Sequence, residues 1–236
     1  MTTVKSTARL TGLAYLGLAI AGMLGFLLVR GQLYVPGDAA ATTANLVEHE
    51  ALARFGIAAD LTVVLTQALA ALWFFKLFRR VDAFAAGALA AFGLVNAVIV
   101  LVAIVFSASA LDVALADSAP GSAGSATAQL LYELSGAAWT VGGLFFGLWL
   151  IPMGWLVWRS GSMPRALGWF LVVGGVGYIV STYVAYVAPG FAASSALTVP
   201  ASVGEFWMIG YLLWKGVGAG VAAAQSETVD SLRAVT

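Results

Sequence analysis

Residues 10–29 run for 20 positions without a charged side chain. That is about the length a helix needs to cross a hydrocarbon core roughly 30 Å thick. The pattern then recurs. Residues 55–75 form a second apolar stretch, broken by Asp60. No charge lies between Asp82 and Asp112, which places a third helix at about 84–108. Residues 134–158, 166–188 and 199–220 complete six, and the last contains Glu205 and Lys215. In lipid the backbone must satisfy its own polar groups, so spanning segments are helices or closed barrels. A barrel would alternate polar and apolar residues in segments of about ten, and no such alternation occurs. The expectation is an all-α, integral-membrane six-helix bundle. It forms one domain over 1–225 with a tail over 226–236.

Composition agrees. Apolar residues make up 61% and charged residues 9%, against about 25% charged in soluble domains. A surface facing water needs more charge than that. With no cysteine, neither a disulfide framework nor a thiolate metal site is available. Net charge is zero and no large basic cluster occurs, so no nucleic-acid partner is expected. The first apolar stretch exceeds the roughly 7–15 residues of a secretory signal. The sequence after it, "VRGQLYVPGD", offers no small-residue cleavage site, so it reads as a retained helix.

Lysines and arginines set the direction. With six spans and the N-terminus inside, the cytoplasmic set is Lys5, Arg9, Lys76, Arg79, Arg80, Arg159, Arg165, Lys215 and Arg233. Only Arg30 and Arg54 fall outside. Cytoplasmic loops carry the excess of basic residues, so both termini are expected in the cytoplasm. The inner turns are short. The first outer connection, 30–54, is long and expected to hold a short helix capped by Asp38, with Glu50 four residues before Arg54 as a helical ion pair. The second outer loop, "SASALDVALADSAPGSAGSATAQ", reads as small, polar and flexible.

Close packing holds such bundles together. Small residues recur at a spacing of four: Gly17, Ala21 and Gly25; Gly143 and Gly147; Gly216 and Gly220. The run "GGVG" at 174–177 falls inside the fifth span and is assigned to packing. Gln67 and Asn96 lie at similar depth and are expected to hydrogen-bond across the hairpin of the second and third spans.

Charge within the spans is the best pointer to a site. Glu205 and Lys215 lie ten positions apart, about 15 Å along a helix, so both cannot reach water. Lysine can extend toward headgroups, which glutamate does less readily. Glu205 is therefore placed at or just inside the outer boundary. Arg30, Arg54, Asp60 and Glu133 are expected at the same level. From these residues an outward-facing polar pocket lined by Arg54, Asp60, Glu133 and Glu205 is inferred. A structural ion-pair network remains the alternative. His49 is the single histidine, too few for a usual zinc or bis-histidine haem site. No catalytic residue, metal or cofactor is assigned.

Several segments carry a family resemblance: "RLTGLAYLGLAIAGM" at 9–23, "VPGDAAATTANL" at 35–46, "RFGIAAD" at 54–60, "SGSMPRALGWFL" at 160–171 and "VGEFWMIGYLLWKG" at 203–216. In their order and spacing they resemble a bacterial membrane family known as domain of unknown function 4386. The resemblance implies a six-helix inner-membrane protein of unassigned activity. It places Arg54, Asp60 and Glu205, but not Glu133, in recognisable segments. Three functions stay open at this point. The first is binding or transport of a small or lipid-like ligand at the outer pocket. The second is an embedded enzyme acting on a lipid or isoprenoid. The third is an accessory protein whose charges only hold the bundle. The expected partners are the bilayer and such a ligand.

Overall fold

The computed structural model describes residues 2–117, 119, 122–191 and 195–217. Gly220, Arg233 and the tail over 226–236 lie outside the described residues. Helix α1 (Thr2–Gly22) passes through a π-helical segment (Met23–Val29) into α2 (Arg30–Leu33). Then come α3 (Ala39–Glu48), α4 (Glu50–Phe78), α5 (Ala83–Ala116), α6 (Ala123–Ser160) and α7 (Arg165–Val187). A 3-10 turn (Ser195–Thr198) leads into α8 (Val199–Trp214). No strand occurs among the described residues. Six helical stretches are long and apolar enough to cross a membrane: Val4–Leu33, Glu50–Phe78, Ala83–Ala116, Ala123–Ser160, Arg165–Val187 and Ala196–Trp214. The protein is a multi-pass helical membrane protein.

Two expectations need correction. The stretch 107–129 is not a flexible loop. Helix α5 continues to Ala116 and α6 restarts at Ala123. Alanine, the strongest helix former, recurs in "LDVALA" and "SATAQ"; the stretch's one proline, Pro120, and Gly121 fall between the two helices, and Gly124 lies in the first turn of α6. Helices of 34 and 38 residues are about 51 and 57 Å long, well beyond a core of about 30 Å. The last helix also stops short of residue 220, at Trp214. Gly216 adopts φ +70, a left-handed conformation that glycine takes without a side-chain penalty. The N–H groups of Lys215 and Gly216 both return to the Tyr211 carbonyl, at 3.0 and 3.1 Å.

The chain forms two compact units. The first comprises 1–16, 67–96 and 143–236, the second 17–66 and 97–142. In the first unit, glycine lets helices meet backbone to backbone. A β-carbon at Gly174 would collide with the Ala201 backbone, one at Gly177 with the Leu197 carbonyl, and one at Gly147 with the Gly175 carbonyl. The "GGVG" run thus packs α7 against α8, the 3-10 turn and α6. Tyr15, Phe74 and Trp149 form a mutual edge-to-face cluster, with centroids 5.4–5.8 Å apart. One end of this unit gathers its cations. The Trp155 indole donates to Asp82 at 3.1 Å, Tyr211 Oη donates to the Ser162 carbonyl at 2.6 Å, and Gly216 lies beside Lys5 and Ala8. These contacts bring Lys5, Arg9, Lys76, Arg79, Arg80, Arg159, Arg165 and Lys215 to the same end, with Asp82 the one acid there among the described residues.

The second unit is topped by α3. Asp38 caps it, accepting from the Ala41 N–H at 2.9 Å. Leu46 packs with Val29, Leu33, Ala53, Leu111, Ala128 and Tyr132 in one buried cluster. Hydrogen bonds close the seam. Thr43 and Ser125 hydroxyls share one at 3.1 Å, and Ser125 donates to the Ala39 carbonyl at 2.9 Å.

Candidate functional site

Below α3, the second unit holds a partly open cavity of about 20 Å³, lined among others by Gly25, Arg30, Asp60, Ser107, Tyr132 and Trp139. That volume holds about one water molecule. Asp60 lies ten residues into α4, about 15 Å from its start, and is 9% exposed. Trp139 lines the same cavity, and Asp60 Oδ1 has no hydrogen-bond partner among the described residues. This oxygen points at Gly25. A β-carbon there would come within 2.5 Å of it.

Arg30 lines the same cavity. Its Nη2 donates to the Tyr132 carbonyl at 2.7 Å and Nη1 to Ser135 Oγ at 3.4 Å. Its guanidinium lies 4.8 Å from the Tyr132 ring centroid, a cation–π distance. No salt bridge joins Arg30 to Asp60 among the described residues, so the two line one cavity without pairing. Arg30 follows directly on the π-helical segment, which carries Gly25. π-helical turns widen a helix and frequently mark functional sites.

Of the inferred pocket residues, Asp60 lines the cavity. Arg54 Nε reaches Glu50 Oε1 at 2.6 Å, with side chains 59% and 44% exposed. Glu133 is exposed and accepts from Gln129 at 2.8 Å and from Tyr34 Oη at 3.3 Å. Burial, and then the Glu133 charge, push the Tyr34 phenol above its ordinary value. Glu205 belongs to the first unit. It accepts from Tyr15 Oη at 2.6 Å, and Tyr15 is 1% exposed. In Ala196–Trp214 Glu205 has nine residues on each side. Arg30, Tyr132 and Trp139 were not assigned to the site from sequence. Arg30 carried the only advance signal, a cation at the end of the first span.

Gln67 and Asn96 are both fully buried in the first unit. None of their four side-chain polar atoms has a hydrogen-bond partner, so the expected bond is not formed. Counting residues matched their depth, but a hydrogen bond also requires the side chains to project toward each other around the helix axes. No group of three metal-ligating His, Cys, Asp or Glu side chains occurs among the described residues.

The fold and cavity define a class: a multi-pass helical membrane protein with an arginine and an aspartate lining one small cavity. The chain belongs to the family described as "Domain of unknown function (DUF4386)", whose model matches residues 10–216. No curated protein and no solved structure matches it.

Proposed function

We propose that this is a ligand-binding protein of the bacterial cytoplasmic membrane, taking the polar head of a small or lipid-like molecule at the Arg30–Asp60 cavity. One observation carries the reading. A buried carboxyl oxygen without a partner faces a cavity whose cation it does not touch. Leaving a buried polar group unpaired is costly, and ionisable residues inside membrane helices usually serve a pathway or a ligand. A hydroxyl or amine could donate to Asp60 Oδ1 while the Tyr132, Phe26 and Trp139 rings wall its apolar part. The cavity admits one such group, so larger parts of a ligand must displace side chains. The cation-rich end of the first unit supports a cytoplasmic placement of both termini; by chain order the connection between the first two spans, which carries α3, then falls on the outer side.

The cavity's size favours a second reading, in which one water bridges Arg30 and Asp60 as a structural link. Mass spectrometry of molecules co-purifying with wild type and Asp60→Asn separates the two. The ligand reading expects a defined species, retained by wild type and lost from a folded variant. Identical co-purifying profiles would leave only the structural reading.

A further inference from the structure

The cation-rich end of the first unit contains a second feature, unrelated to the Arg30–Asp60 cavity. Along one exposed side of α1 a shallow, open hollow is lined by Lys5, Ser6, Arg9, Leu10 and Leu13. Lys5 and Arg9 are four residues apart, so they stand on one helix face. Leu13 continues that face one turn further, about 12 Å from Lys5 along the axis. Both cations are exposed, and neither joins an ion pair among the described residues. Leu10 and Leu13 are 46% and 56% exposed.

We propose that this hollow binds an anionic phospholipid. The phosphate sits between Lys5 and Arg9, with the Ser6 hydroxyl as a further donor, and an acyl chain lies over Leu10 and Leu13. Cation above, apolar surface below, is the order of parts in a phospholipid itself. Lysine and arginine bring eight N–H donors between them. Two cations without a local acid select a lipid of net negative charge over a zwitterionic one. The other cations of this end raise the local anion concentration, but they do not line the hollow.

The test uses the full chain in mixed micelles and counts retained lipids by native mass spectrometry. The probes are phosphatidylglycerol and phosphatidylcholine with matched chains. Wild type should prefer phosphatidylglycerol. In Lys5→Gln/Arg9→Gln that preference should fall about thirtyfold, from two surface cations. Lys5→Arg/Arg9→Lys, which keeps both charges, should hold it. Either single Gln variant should show part of the loss and serves if the double variant does not assemble. Arg159→Gln/Arg165→Gln removes two charges from the same end but none from the hollow, and should retain the preference. Excess glycerol phosphate should not displace the lipid. An undiminished preference in Lys5→Gln/Arg9→Gln overturns the proposal. So does an equal loss in the Arg159/Arg165 variant, which would indicate a diffuse field. Displacement by glycerol phosphate would indicate a free-phosphate site instead.

Discussion

Replacing Tyr15 by Phe removes one hydroxyl and leaves the ring packed 5.6 Å from Phe74 and 5.4 Å from Trp149. The hydroxyl lost is the donor to Glu205 at 2.6 Å, near the short limit for an O–H···O bond. Hydrogen bonds to charged groups contribute about 1.5–3 kcal/mol in water-soluble proteins. Between membrane helices they average about 0.6 and reach about 1.7, because the dispersed helices also find partners. Tyr15 is 1% exposed and its bond is short, so the upper end applies. Tyr15→Phe should cost about 1.5 kcal/mol, roughly tenfold in the unfolding equilibrium. Reversible unfolding in mixed micelles reads this directly. The decisive comparison repeats the substitution in Glu205→Ala. There the hydroxyl is a buried donor without its acceptor, and removing it should be neutral or stabilising. Coupling energy isolates the pair from any cavity left by the alanine. If Tyr15→Phe cost the same in both backgrounds, the hydroxyl would be bonded elsewhere and the pairing refuted.

Gly174→Ala should destabilise by about 1–3 kcal/mol through overpacking, since its β-carbon meets the Ala201 backbone. Gly87→Ala, where nothing lies within 4 Å, should gain up to about 1 kcal/mol from helix propensity; thermal unfolding should move in opposite directions. Asp38→Ala removes the cap on α3 and should cost about 1 kcal/mol, seen as faster amide exchange over 39–48. The Ala85 N–H and the Trp155 indole hold the Asp82 carboxyl below its ordinary range. A depressed folded value stabilises above the unfolded pKa of about 3.9 and is lost as pH falls through the folded one. Trp155 fluorescence should therefore stay constant down to about pH 4 and change only below it, and Asp82→Ala should abolish that transition.

The helices were legible because hydrophobic length is a direct consequence of the solvent they face. Their ends were less so. Apolar run length marks where lipid would stop, whereas α5 and α6 continue on alanine propensity past Asp112 and before Glu133. The glycines at 174–177 were readable as packing residues because a glycine run inside a span has few other uses. The site resisted for a different reason. Sequence gives depth along a helix, and a pocket needs azimuth as well. Arg54, Glu133 and Glu205 were grouped with Asp60 by depth, yet each finds its partner elsewhere: Glu50, Gln129 with Tyr34, and Tyr15. The π-helical segment over 23–29 compounds this. It alters the residues per turn just before Arg30, so an α-helical wheel misdirects that side chain, and no composition signal announces the change.

The two acids set well inside their helices, Asp60 and Glu205, have been resolved in opposite ways. Glu205 has a short direct bond from a buried phenol within its own unit, and Trp149 and Phe74 pack against that phenol's ring. Nothing there calls for another molecule. Asp60 retains an oxygen without a partner, and the nearest cation has already spent two donors on Tyr132 and Ser135. A purely structural pair would have been free to close: Arg30 is long, and the cavity between them is only about 20 Å³. Holding the guanidinium back on the Tyr132 ring keeps the carboxyl and the cation apart, and separated opposite charges around a small cavity favour a polar group placed between them. Lengthening the acid tests this. Asp60→Glu lengthens the acid by one methylene; where the longer side chain turns from Gly25 to meet Arg30, direct pairing should stabilise the second unit while weakening retention of the co-purifying species. If Asp60→Glu left both stability and retention unchanged, the separation would have no functional meaning.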